Sequence, residues 1–167
     1  MNGHVREPGR NAVFYRMLIL LFLLCIPFVQ QLHAQTAARL EALLNEKAVT
    51  WEQASAFVLE AADAGAYTNP QDAFNVSYGY NWLPKDIQSG DTARLDGVAL
   101  LLMRSFELKG GMFYSMTKSP HHAYRELVFK KVIRGTSDPR MNVSGQDLLL
   151  MIGRMLAMRE NAGKEAP

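Results

Sequence analysis

The sequence predicts an all-α fold, a small helical array of about two and a half helix–loop–helix repeats. Three observations predict it. Apolar residues recur at helical spacing in stretch after stretch. Helix-opening signatures precede three of those stretches: Thr50-Trp51-Glu52-Gln53, Ala93-Arg94-Leu95-Asp96 and Ser144-Gly145-Gln146-Asp147. The openings start 43 and 51 residues apart, a period that points to stacked helical pairs.

The chain has 167 residues and a formal net charge of +2. Residues 1–34 read as a signal peptide. Arg6, Arg10 and Arg16 make a positive start, residues 17–29 are an apolar run, and Leu32-His33-Ala34 resembles a cleavage site, with the cut after Ala34. The run is shorter than the about 20 residues that a membrane-spanning helix needs, and Pro27 interrupts it. An uncleaved anchor and acylation at Cys25 are the alternatives, and Met17 is a second candidate start. The expected location is the periplasm or the cell surface. The leader carries the net charge and the only cysteine. A single domain over 35–160 and a polar tail over 161–167 remain, formally neutral and without a thiol. This balance gives no support for nucleic-acid binding. It leaves membrane contact only to the N-terminal segment, if that segment is retained.

The elements follow in order. Residues 36–44 read as a first helix with Ala37, Leu40 and Leu44 on one side. Thr50 and Gln53 form a capping box for the second, whose inner face is Ala54, Phe57, Val58, Ala61 and Ala62; Gly65 is the expected stop. Asn69-Pro70 opens a third, asparagine as cap and proline at the first helical position. Ala73, Phe74 and Tyr78 are expected to face inward. Residues 79–84, Gly-Tyr-Asn-Trp-Leu-Pro, break the pattern, and 85–91 form a polar loop. Residues 92–108 are apolar over much of a helical circumference, so this helix is expected to be central, with Gly110-Gly111 ending it.

Residues 112–116 then read as a connector of large apolar side chains, packed beneath the chain or exposed as a docking patch. Residues 122–132 make the next helix, with Tyr124, Leu127, Val128 and Val132 inward and Lys130 and Lys131 in the last turn. Gly135 is its expected stop, and Asp138-Pro139 turns the chain. Ser144 caps a last helix with the stripe Leu148, Met151, Ile152, Met155 and Leu156.

No catalytic motif is present: no Gly-x-Ser-x-Gly, no His-Glu-x-x-His and no glycine-rich phosphate loop. His122 and Glu126, beside His121, have the spacing to meet one metal, but nothing supplies a third ligand. A hydrolase would need two of Asp63, Asp72, Asp96 and Asp147 brought together, and helix capping accounts for Asp96 and Asp147. The sequence predicts no catalytic residue, no metal site and no cofactor.

One family resemblance stands beside this reading. Val132-Ile133-Arg134-Gly135, Asp138-Pro139 and the stretch from Val143 to Leu156 resemble the S-layer homology domain. Its repeats run helix, "GIIxG", a short loop ending near a "TRAE"-type motif, and a second helix. Residues 78–84, Tyr-Gly-Tyr-Asn-Trp-Leu-Pro, with Ala93-Arg94-Leu95-Asp96, look like the same parts of a preceding repeat, and Thr50-Trp51-Glu52-Gln53 like the end of a first. The chain is also similar to exported helical envelope proteins of spirochaetes with such repeats. The resemblance implies non-catalytic attachment to a cell-wall or envelope polysaccharide, with the arginine of the "TRAE"-type motif at the polymer site. Arg94 fits that arginine; Trp51 and Gly145 stand at the matching positions of the other copies.

The expected function is therefore an exported module that binds envelope glycan in a groove between repeats. Arg94, Arg125 and Arg134 offer charge, and Tyr80, Trp82 and Tyr124 offer flat faces for sugar rings. The alternatives are an adaptor for an envelope protein, docking through residues 110–116, and a small carboxylate hydrolase.

Overall fold

The computed structural model describes residues 36–135 and 138–164. The signal-peptide reading and Cys25 lie outside the described residues. The chain divides into two units, Met1–Ala42 and Leu43–Pro167. In the first, residues 36–42 of helix α1 (described at 36–44) are exposed. The second contains α2 (Trp51–Ala61), α3 (Pro70–Gly79), α4 (Leu95–Ser105), α5 (Met112–Thr117), α6 (Pro120–Phe129) and α7 (Gly145–Lys164). Among the described residues all regular structure is helical, with no strand, so the fold is all-α as the sequence predicts.

Helices α2, α3, α6 and α7 begin where side chains satisfy the first backbone N–H groups. The Thr50 hydroxyl accepts from the Gln53 N–H at 3.3 Å, and the Gln53 side chain accepts from the Thr50 N–H at 2.9 Å. Asn69 accepts from the Gln71 N–H at 3.2 Å, with Pro70 opening α3. Ser144 accepts from the Asp147 N–H at 3.1 Å and donates to its carboxylate at 2.7 Å. Ser119 caps α6, which therefore starts at Pro120 rather than His122.

The helices end differently from the sequence expectation. Four of them close through the same device. A non-glycine residue takes the left-handed conformation: Asp63, Asn81, Glu107 and Lys131, with φ of 58°, 56°, 51° and 60°. The following N–H reaches back five residues, from Ala64 to Leu59, Trp82 to Ser77, Leu108 to Met103 and Val132 to Leu127, each at 2.9 Å. Gly65, Gly110-Gly111 and Gly135 are not the stops, and Lys130 and Lys131 lie beyond the last turn of α6. The residue after each left-handed position is apolar and at least partly buried, and that anchor offsets the left-handed penalty of roughly 1–2 kcal/mol. Glu107→Gly and Lys131→Gly are expected to stabilise the protein by about 0.5–1 kcal/mol each. A thermal melt checks this, with a rise in Tm of a few degrees as the expected result.

The repeats close on one another at three short segments. Val49 N–H donates to the Val143 carbonyl at 2.9 Å, Ala93 N–H to the Val49 carbonyl at 2.8 Å, and Val143 N–H to the Ala93 carbonyl at 3.0 Å. These bonds form a closed ring, and all three residues are buried. A second tier repeats it one residue past each helix cap: Trp51 N–H to Asp91, Leu95 N–H to Met141 and Gly145 N–H to Glu46. Each ring residue uses both backbone groups, so no polar group is left bare where water is absent.

This ring also corrects the repeat register. The equivalent openings are Thr50, Arg94 and Ser144, 44 and 50 residues apart. Arg94 is itself the N-cap of α4 and caps without a side-chain bond. In the repeat register it is the counterpart of Thr50 and Ser144, and Leu95 is the counterpart of Trp51 and Gly145. The motif position assigned to arginine is therefore occupied by buried Trp51, buried Leu95 and Gly145.

The second helix of one repeat packs on the first helix of the next: α2 on α3, and α4 on α6. Helix α4 is central, buried at every residue except Asp96 and Arg104. It is shorter than the predicted 92–108 because Thr92 and Arg94 form isolated bridges with Thr50 and Asn142. Some predicted inner faces are rotated. Leu43 is buried while Leu40 and Leu44 are exposed, since Leu43 is the residue whose carbonyl abuts the start of α7. Tyr78, Val128 and Leu156 sit at the edges of their stripes and remain exposed. Helix α7 runs through Lys164, closed by a Lys164–Glu160 pair at 2.7 Å, so residues 161–164 are helix rather than tail.

Residues 112–117 are a helix, not a connector. From Thr50 to Asn69 the chain takes 19 residues, and from Arg94 to Ser119 it takes 25. The difference equals the six residues of α5, which is thus an insertion in the repeat template.

Candidate functional site

Two grooves lie between successive repeats, at equivalent places. The first, about 260 Å³, is lined by Trp51, Pro84, Lys85, Asp86, Ile87, Asp91, Thr92 and Arg94. The second, about 200 Å³, is lined by Leu95, Ile133, Arg134, Met141, Asn142, Val143, Asp147, Met151 and Arg154. The repeat register matches Trp51 with Leu95, Pro84 with Arg134, Asp91 with Met141 and Thr92 with Asn142. The corresponding third place is closed by chain: the Leu43 carbonyl lies against Gly145, whose N–H is bonded to Glu46.

The two grooves differ in charge. In the first, Lys85 and Arg94 are matched by Asp86 and Asp91. Arg94 is further committed to Asp96, with Nη2 3.0 Å from its carboxylate. In the second, Arg134 and Arg154 face one carboxylate, Asp147, which already accepts the Ser144 hydroxyl. Arg134 donates through Nε to the Lys131 carbonyl at 3.2 Å, and Arg154 through Nη1 to the Val132 carbonyl at 2.7 Å. These bonds fix each guanidinium on backbone oxygens and leave further N–H groups on each for a ligand. Leu95, Ile133, Val143 and Met151 supply apolar walls.

The six residues singled out by sequence do not form one site. Arg94 lines the first groove and Arg134 the second. Tyr80 and Trp82 stack at 5.1 Å and 24°, with Tyr80 exposed, and Trp82 lines a third depression beside Arg104 and Tyr114. Arg125 and half-buried Tyr124 lie on α6 and line none of these. Asn142 and Arg154 were missed. Arg154 follows Met151 by three residues on the same helix, a spacing that would have placed it beside the groove.

The remaining chemistry is dispersed. Glu126 accepts the Gly111 N–H at 2.8 Å, and His122 Nδ1 lies 2.8 Å from the Thr117 hydroxyl and 2.9 Å from that of Ser119. The pairing of His122 with Glu126 on one metal is not formed. Among the described residues no group of three His, Cys, Asp or Glu side chains is placed to hold a metal. Asp63 pairs with Arg159 at 2.8 Å, Asp96 with Arg94, and Asp147 with Ser144, so each of these three carboxylates is engaged with a partner of its own. The Tyr114 phenol is held above its ordinary pKa, chiefly by burial, with Glu126 adding to the rise and Arg104 opposing it. No helix among the described residues is long and apolar enough to cross a membrane.

Comparison of this chain with protein-family models, curated proteins and solved structures finds no match.

Proposed function

We propose that the protein is an exported, non-catalytic envelope module that binds an acidic cell-wall or envelope polysaccharide in the groove between the second and third repeats. The S-layer homology resemblance belongs to this proposal. The observation that carries it is the pair of arginines, Arg134 and Arg154, at a groove with apolar walls and a single, already bonded carboxylate. A groove of about 200 Å³ is below the usual range for drug-sized ligands and suits one unit of a polymer. Acidic sugars would meet the guanidinium groups, and their C–H faces would meet Leu95 and Met151.

The test is retention of residues 35–167 on purified cell-wall sacculi. Arg134→Ala removes an exposed guanidinium and is expected to weaken retention about tenfold, the effect of losing one charge-assisted hydrogen bond. Arg94→Ala, in the charge-balanced groove, is expected to change retention less than threefold. Equal retention of wild type and Arg134→Ala would contradict the assignment of the groove. A second reading, an adaptor docking through residues 110–116, draws on the exposure of Met112, Phe113 and Met116.

A further inference from the structure

We infer that α5 and the basic pocket beside it dock on an anionic lipid surface. The inference is independent of the glycan groove. Helix α5 is a six-residue insertion relative to the repeat that precedes it. The equivalent connection, residues 62–69, carries one large apolar side chain, Tyr67, which is partly buried. The insertion instead exposes three: Met112 at 70%, Phe113 at 65% and Met116 at 77%. Tyr114 alone anchors the helix in the core, and the Gly111 N–H is tied to Glu126. Phe113 stacks on the His122 ring at 6.0 Å yet stays mostly exposed, and Met112 and Met116 are more exposed still, so all three leave apolar surface in water.

Charge beside the insertion supplies the partner chemistry. Arg104, Lys109 and Lys118 line an open pocket of about 670 Å³ with one carboxylate, Glu107. Among the described residues none of these three cations is ion-paired, and Arg104 Nε is buried without a hydrogen-bond partner. Lys109 and Lys118 flank the α5 segment in the chain and are both exposed, and an apolar segment between exposed lysines matches a headgroup region with acyl chains beneath it. Phe and Met suit a protein interface as well, whereas lysine is depleted there, so the flanking lysines favour the lipid surface. A lipid surface accepts Met, Phe and Lys without fixing their rotamers.

The test uses the full chain carrying Phe113→Trp, with vesicles whose acyl chains are brominated, and the unsubstituted chain as the background for Trp51 and Trp82. Phosphatidylcholine–phosphatidylglycerol vesicles are expected to quench the introduced indole, and phosphatidylcholine vesicles to leave it bright. Adding Lys109→Gln and Lys118→Gln, both at exposed positions, is expected to raise the lipid needed for half-quenching roughly 30-fold. Inorganic phosphate at matched ionic strength is expected to leave the quenching in place, because the acyl chains hold the insertion. Absence of quenching on the anionic vesicles would overturn the inference. So would equal quenching on both vesicle types, which the apolar run at 17–29 alone would produce. Loss of a protein partner without any quenching would assign α5 to that protein instead.

Discussion

Gly145→Ala is expected to cost about 3 kcal/mol or more, a large share of the roughly 5–15 kcal/mol that holds a domain folded. A Cβ at this position would overlap the backbone carbonyl of Leu43 and meet the Leu43 side chain. A side chain can rotate away, but the Leu43 carbonyl accepts the Glu46 N–H at 3.0 Å and cannot turn without losing that bond. The first turn of α7 would have to withdraw. That would break the Gly145 N–H bond to Glu46 and pull Val143 from Val49 in the ring. Urea denaturation measures the loss. Gly153→Ala is the matched control: it lies in the same helix, nothing lies within 4 Å of its Cβ position, and it is expected to stabilise by about 0.5–1 kcal/mol. A small cost at Gly145 with the usual gain at Gly153 would show that the ring closes elsewhere.

Trp51→Ala is expected to destabilise by about 3–5 kcal/mol, the range for a buried aromatic side chain cut to alanine. Trp51 is 1% exposed and opens α2, where it forms the floor of the first groove. Its ring lies against Gly97, so a Cβ there would overlap the indole and press on Pro84. Gly97→Ala is therefore expected to be costly alone and much less so beside Trp51→Ala. The cycle of the two substitutions is expected to show a coupling of at least about 1 kcal/mol. Simple addition of the two costs would mean that the indole does not seat on Gly97.

The parts of the fold legible in the sequence are those written in side-chain chemistry. Thr50, Asn69 and Ser144 act as the caps their hydroxyl or amide groups predict. The apolar circumference of α4 predicts its central place, and nine of its residues are buried. The helix stops were not legible, because the left-handed seats are held by Asp63, Asn81, Glu107 and Lys131 rather than by the nearby glycines. The signal there is the apolar residue that follows each seat. The repeat register slipped by one at Ala93 because Asp96 imitates a capping partner, whereas Arg94 caps through backbone alone.

The ring itself is made of main-chain bonds. Its only trace in sequence is a small or β-branched apolar residue at Val49, Ala93 and Val143, directly before each cap. The site was half legible for the same reason. Arg94 and Arg134 fall in the two grooves, but which groove keeps uncompensated charge depends on Asp86, Asp91 and Arg154, brought there by the closure of the repeats.

That closure is most directly tested by amide hydrogen exchange at Val49, Ala93 and Val143. The ring predicts that all three exchange only through global unfolding, with one common protection free energy equal to that from urea denaturation. Rapid exchange at any one of them, with the other two still protected, would contradict a closed ring of three repeats.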